Sequence, residues 1–111
     1  MLLEAERALI VRHAGLLGPD GLVVGTSGNL SVRSGDLVAI TPSSVDYDEL
    51  DPGLVCVVGL DGETVAAERA PSSELPMHLA VYRATAAAAI VHTHAPYATA
   101  LATVADELPA I

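Results

Sequence analysis

The stretch LVVGTSGNLSVRSGDLVAITPSS, residues 22–44, decides how this chain is built. It opens with a run dense in Gly, Ser and Thr, which reads as a tight loop. It then switches to NLSVR (29–33) and DLVAIT (36–41), where aliphatic and β-branched residues predict two strands joined by a turn at Ser34-Gly35. A second strand pair follows, because LVCVVGL (54–60) and ETVAAE (63–68) flank Asp61-Gly62, a strong hairpin signal.

Outward from these strands the pattern becomes helical. Leu2/Leu3, Leu9/Ile10 and Leu16/Leu17 recur every two turns, predicting an amphipathic helix that stops at GPDG (18–21), with Arg7 and Arg12 off the apolar stripe. DYDEL (46–50) reads as a short helical turn. Residues 74–86 read as a helix capped by Ser72 or Ser73, with Pro76 tolerated in the first turn, where amides lack intrahelical acceptors. AAIVHTH (88–94) is a strand, and PYATALATVADE (96–107) a helix opened by Pro96. Strands interleaved with helices, without strict βαβ repetition, predict one mixed domain of the α/β (α+β) class, a three-layer αβα arrangement.

Composition narrows the function. Hydrophobic residues make up 51% of the 111 and charged residues 17%, which is enough apolar material for a packed core. The net charge of −9 argues against a nucleic-acid partner, since no cation excess is present to displace counterions. The five cationic side chains are all arginines. Without a lysine, this chain has no side chain able to form a Schiff base with a carbonyl substrate. Cys56 is the one cysteine, so no intrachain disulfide forms, which suits a cytoplasmic location, and its apolar neighbours mark it as an inert core thiol. No segment has the run of apolar residues a membrane span needs, so no membrane partner is expected.

Four motifs are candidates for chemistry. His92 and His94 stand two apart. On a strand, such positions point the same way, about 6.6–6.8 Å apart at Cα, and two imidazoles can then each reach a divalent ion at about 2.0–2.1 Å. Taken alone they read more readily as two polar residues at a strand end, or as one buried histidine satisfied by a carbonyl, and two ligands leave a metal site incomplete. PSSELPMH (71–78) places Ser72, Ser73 and Glu74 at a helix N-terminus, either an ordinary cap or a seat for a phosphate or carboxylate. His78, four residues after Glu74, reads as a packing or hydrogen-bonding residue. GTSGNLS (25–31) combines glycines with hydroxyl and amide donors but lacks the nucleotide-loop fingerprints. It is either a plain turn or a ligand loop, and TPSS (41–44) is a further hydroxyl-rich loop. Three neutral donor loops in an acidic chain point to anion binding through amides and hydroxyls.

In this order the motifs resemble the class II aldolase/adducin family, especially its L-fuculose-phosphate aldolase-like members. The resemblance runs from GTSGNLSVR through ITPSSVDY and PSSELPMHLAVYRA to IVHTHAPYATALA. It implies a central, largely antiparallel sheet layered by helices, and a homotetramer with sites at subunit interfaces. It further implies that Gly28, Asn29, Ser43, Ser44, Ser72 and Ser73 surround the phosphate of a sugar phosphate. His92 and His94 are then zinc ligands, and Glu74 is the acid/base residue that can also reach the metal. The implied reaction is zinc-dependent cleavage of a ketose 1-phosphate to dihydroxyacetone phosphate and an aldehyde.

The same scaffold serves pentulose-5-phosphate 4-epimerases, which typically carry Asp where this chain has Glu74, and methylthioribulose-phosphate dehydratases. An adducin-like, non-catalytic interaction module is the alternative of a different class. Family members add a third histidine downstream of the H-x-H, and this sequence stops at ELPAI before that region. Residues 1–111 therefore read as the N-terminal part of a single class II aldolase-like domain. The expectation for these residues alone is weak zinc binding and little or no turnover.

Overall fold

The computed structural model describes residues 1–23, 26–94, 100 and 102–103. Helix α1 (Glu4–Leu17) leads into the hairpin β1 (Asn29–Ser34) and β2 (Leu37–Ile40). Two 3-10 turns, Tyr47–Glu49 and Pro52–Leu54, precede β3 (Cys56–Gly59), β4 (Thr64–Ala66), α2 (Leu75–Ala84) and β5 (Ala89–His92). The helix expected over 96–107 falls largely outside the described residues. The strands form one five-stranded sheet in the order β4-β3-β2-β1-β5, and every neighbouring pair is antiparallel.

Alternation along the strands produces the three layers. Leu30 and Ala39 join Ile10, Ala14 and Leu17 of α1 in one core. Val38 and Val58 join Leu79 and Tyr82 of α2 in another. Side chains one residue apart on a strand face opposite sides, so the two helices lie on opposite faces of the sheet. The antiparallel, helix-layered expectation is met.

Three details differ from the sequence reading. Ser34 pairs with Leu37, so the β1–β2 turn is Gly35-Asp36, and Gly35 takes the positive φ of 62° that this tight loop demands. Gly59 and Glu63 close the next hairpin, leaving a three-residue loop, Leu60–Gly62, around the Asp61-Gly62 signal. In α1, one member of each apolar pair faces out: Ile10 and Leu17 are buried, whereas Leu9 and Leu16 are 46% and 48% exposed; Leu2 and Leu3 lie ahead of the helix. Adjacent helical positions diverge by about 100°, so a doubled stripe cannot be buried whole.

Arg7 belongs on the buried side of that helix, three residues before Ile10, and is 5% exposed. Its guanidinium donates to the carbonyls of Leu2 (2.6 Å), Pro52 (2.9 Å) and Val55 (3.0 Å). It ties α1 to the 3-10 turn before β3 by filling three acceptors at once.

Beneath α2 lies a second polar inclusion. His78 is fully buried, with Nδ1 2.6 Å from Ser31 Oγ and Nε2 against Asn29 Oδ1. Tyr82 Oη lies 2.7 Å from the same Ser31 hydroxyl. Burial holds the imidazole pKa down at about 4, from an ordinary 6.5.

Two outcomes follow for stability. Arg7→Met removes the donor to the Leu2 and Val55 carbonyls, while Pro52 O keeps its bond from Val55 N, and is expected to cost about 2 kcal/mol in urea unfolding. For His78, the folded pKa lies below the unfolded one, so the unfolded chain takes up the proton first. Its stabilisation is complete above pH 6.5 and is lost as pH falls to about 4, roughly 3 kcal/mol in all. Unfolding titrations across that range should show the loss in the parent and its absence in His78→Gln.

Candidate functional site

The sheet brings one end of β1, β2 and β5 together with the start of α2. Asn29 opens β1 directly opposite His92, the last residue of β5. The loop after β2 is held against the segment before α2. Ser43 N donates to Ala70 O (2.9 Å), Ser72 N donates to Thr41 O (3.0 Å), and Pro42 and Pro71 form an isolated bridge. Residues separated by thirty positions thus share one cleft.

Gly28 sits at the corner with φ 80°. A β-carbon here would fall 2.8 Å from the His92 carbonyl oxygen and 2.6 Å from Val23 Cγ1. Only glycine allows the loop to pass so close beneath β5. Tyr47 anchors the same loop, donating its hydroxyl to Ser27 O (3.2 Å) and engaging Gly28 O. Burial, with the Glu74 charge adding to it, pushes the Tyr47 phenol up to about 12, so it stays protonated and able to donate. Ser44, with φ 58°, adopts a left-handed conformation that is costly outside glycine.

The cleft has a volume of about 200 Å³. Gly28, Asn29, Ser43, Ser44, Ser72 and Ser73, the residues of the expected phosphate pocket, all line it, together with Glu74 and His94. The helix start differs from the simple cap expected. Glu74 itself is the N-cap residue and makes no side-chain cap bond, while Ser72 Oγ accepts from Glu74 N at 3.2 Å. The carboxylate is thereby left to face sideways.

It faces Asn29 and the histidines. Asn29 Nδ2 donates to Glu74 Oε2 at 2.9 Å, and His92 Nδ1 lies against the same oxygen. The Asn29 hydrogen bond is the largest cause of the lowered Glu74 pKa; burial opposes it, and the His92 charge adds to it. His94 lies past the end of β5, so the two histidines do not share a strand as expected. Its backbone N–H donates to Leu22 O (3.2 Å), and its ring centroid is 5.0 Å from that of His92.

One ligand atom each from Glu74, His92 and His94 lies within 4.8 Å of the others. Two imidazole nitrogens and a carboxylate oxygen are a donor set suited to Zn²⁺ and similar divalent ions. His92 Nδ1 is buried and makes no hydrogen bond among the described residues, although it abuts the carboxylate. A lone pair held there is a metal-ligand arrangement, and these residues fit a cation.

Sequence reading did not anticipate the pairing of Asn29 with Glu74 or the contact of His78 with Asn29. The clue to the latter was a histidine on the inward face of α2, one turn after Glu74. Tyr47 supports the cleft loop. Cys56 is fully buried and its thiol pKa is raised by burial, in keeping with an inert thiol.

Among known proteins, residues 8–111 match the family described as Class II Aldolase and Adducin N-terminal domain. A 5-deoxy-D-ribulose 1-phosphate aldolase of Bacillus thuringiensis serovar kurstaki is 47% identical over 114 residues, covering 100% of this chain and 54% of that protein. An L-fuculose phosphate aldolase of Methanococcus maripaludis is 38% identical over 87 residues, covering 78% and 47% respectively. A solved L-fuculose 1-phosphate aldolase superposes with a TM-score of 0.86 at 38% identity, over 92% of this chain and 50% of that one. The chain spans about half the length of the relatives it matches. Its sheet, its cleft and these matches agree: the chain belongs to the class II aldolase and adducin family.

Proposed function

We propose that these residues are the N-terminal part of a single class II aldolase-like domain, and that the domain is a metal-dependent aldehyde-lyase acting on a ketose 1-phosphate. The observation that carries this reading is the Glu74, His92 and His94 donor set at the edge of a cleft lined by hydroxyls and loop backbone. Relatives named as aldolases of 5-deoxy-D-ribulose 1-phosphate and fuculose phosphate support the substrate class. Zn²⁺ is the proposed ion, dihydroxyacetone phosphate and an aldehyde the products. A homotetramer in the cytoplasm completes the proposal.

Each residue has work suited to its environment. His92 and His94 hold the cation, with Glu74 as a third donor. When bound, that cation supplies Lewis-acid stabilisation of charge developing on the substrate's carbonyl oxygen. Ser43, Ser44, Ser72 and Ser73 offer hydroxyls and amides to the phosphate, and Gly28 lets the β1 loop approach it closely. The Asn29 hydrogen bond holds the Glu74 pKa below the usual carboxylate range, and the group is ionised at neutral pH. The carboxylate can therefore take a proton from the carbon next to the carbonyl and return it.

Zinc titration of the apo chain should show one ion per chain, with binding lost in His92→Ala and His94→Ala; unchanged binding in both would remove the metal site. Dihydroxyacetone phosphate incubated in D₂O with the metal-loaded chain should exchange one carbon-bound proton, read by ¹H NMR. Glu74→Gln should slow this exchange by about 10²-fold or more, and an unaffected rate would deny Glu74 its role as base. Gly28→Ala, by pushing on the His92 carbonyl, should weaken zinc binding about tenfold or more and cost about 1–3 kcal/mol of stability.

A further inference from the structure

Behind the metal donors runs a chain of buried polar groups whose hydrogen-bond directions can be worked out. Glu74 Oε2 receives a hydrogen bond at 2.9 Å from the Asn29 side chain. An ionised carboxylate only accepts, so the Asn29 amide must present its NH₂ there. Its Oδ1 then points at His78 Nε2, and a carbonyl oxygen only accepts, so Nε2 carries the proton. Among the described residues the His78 ring nitrogens meet only Ser31 and Asn29, with no carboxylate in hydrogen-bond reach, and the ring is fully buried. It is therefore neutral, which leaves Nδ1 as an acceptor.

Ser31 Oγ, 2.6 Å from Nδ1, is its donor, and the Ser31 oxygen is free to accept from Tyr82 Oη at 2.7 Å. The direction runs from Tyr82 through Ser31, His78 and Asn29 to Glu74, with a donor facing an acceptor at each link. Reversing the Asn29 amide would set its oxygen against the carboxylate and its NH₂ against the Nε2 proton.

We infer that His78 is a positioning residue for the metal site: held as the Nε2–H tautomer by Ser31 and Tyr82, it locks the Asn29 amide with its NH₂ toward Glu74. This inference rests on the reading of Glu74 as metal donor and base, and it adds a residue that touches neither metal nor substrate. His78 acts on the donor set as an outer partner that orients a ligand, a role whose loss commonly weakens metal binding by about 10–100-fold.

The test uses the full 111-residue chain, labelled with ¹⁵N. Long-range ¹H–¹⁵N spectra should show His78 protonated at Nε2 and bare at Nδ1, with the Asn29 side-chain amide protected from exchange. His78→Leu should expose the Asn29 amide and lower Co²⁺ and Zn²⁺ affinity about 10–100-fold. His78→Gln, which keeps an N–H near the Nε2 position, should restore most of both. Should His78→Leu fail to fold, Ser31→Ala removes the donor to Nδ1 and should loosen the ring, speeding exchange of the Asn29 amide and weakening Co²⁺ binding. An Nδ1–H tautomer in the parent, or an Asn29 amide as protected in His78→Leu or in Ser31→Ala as in the parent, would overturn the inference. If the parent binds no metal, the metal reading falls, while the tautomer and the Asn29 amide still decide the relay.

Discussion

The antiparallel pairing of β1 with β5, with Asn29 set opposite His92, is the constraint on which the rest of this structure depends. It joins the last strand to the first across a connection that passes through α2. It fixes where the β5 histidine ends relative to the start of β1. The close passage of Gly28 beneath the His92 carbonyl leaves no room for a side chain and sets the loop directly against the strand. The cleft is built on the sheet's rigid edge, although several of its walls are loops held by Tyr47 and by the Thr41–Ser72 contact. Positioning groups on paired strands limits their drift more than loops alone can.

Much of this was legible in the residues. Aliphatic and β-branched residues in NLSVR and LVAI, and the Ser34-Gly35 and Asp61-Gly62 turn signals, predicted the hairpins because local sterics decide tight turns. The clustering of Ser72, Ser73 and Glu74 before Leu75 marked the helix start for a similar reason, since first-turn amides need acceptors. What could not be read was the direction in which a polar side chain turns once long-range contacts form. Arg7 looked like a surface cation, because its Pro52 and Val55 acceptors lie forty-five and forty-eight positions away. The Asn29–Glu74 contact spans forty-five. Glu74 leaves its own helix end uncapped for the same reason: a partner from another element competes for its carboxylate.

His78 shows how the two sources of information combine. Its place one turn after Glu74 suited a packing or hydrogen-bonding residue, and its full burial in the structure demands partners for both ring nitrogens. Ser31 could be expected on the α2-facing side of β1, since it alternates with Leu30. Their registry across the layer belongs to the tertiary structure alone. A buried histidine whose two nitrogens meet neutral partners contributes order rather than charge, consistent with the depressed pKa.

The acidic balance of the chain sharpens the proposed chemistry. A net charge of −9 opposes approach of a doubly charged sugar phosphate, and no lysine offsets it. Hydroxyls and backbone amides hold an anion through short-range hydrogen bonds, which the overall charge affects little beyond a screening length of about 8 Å in physiological salt. In the proposed reading, a divalent cation held by Glu74, His92 and His94 would add two positive charges beside the substrate. An amide at position 29 suits that balance, whereas an aspartate there would set a second carboxylate beside Glu74 Oε2. Asn29 supplies a donor to one side and an acceptor to the other without changing the charge at the metal donors.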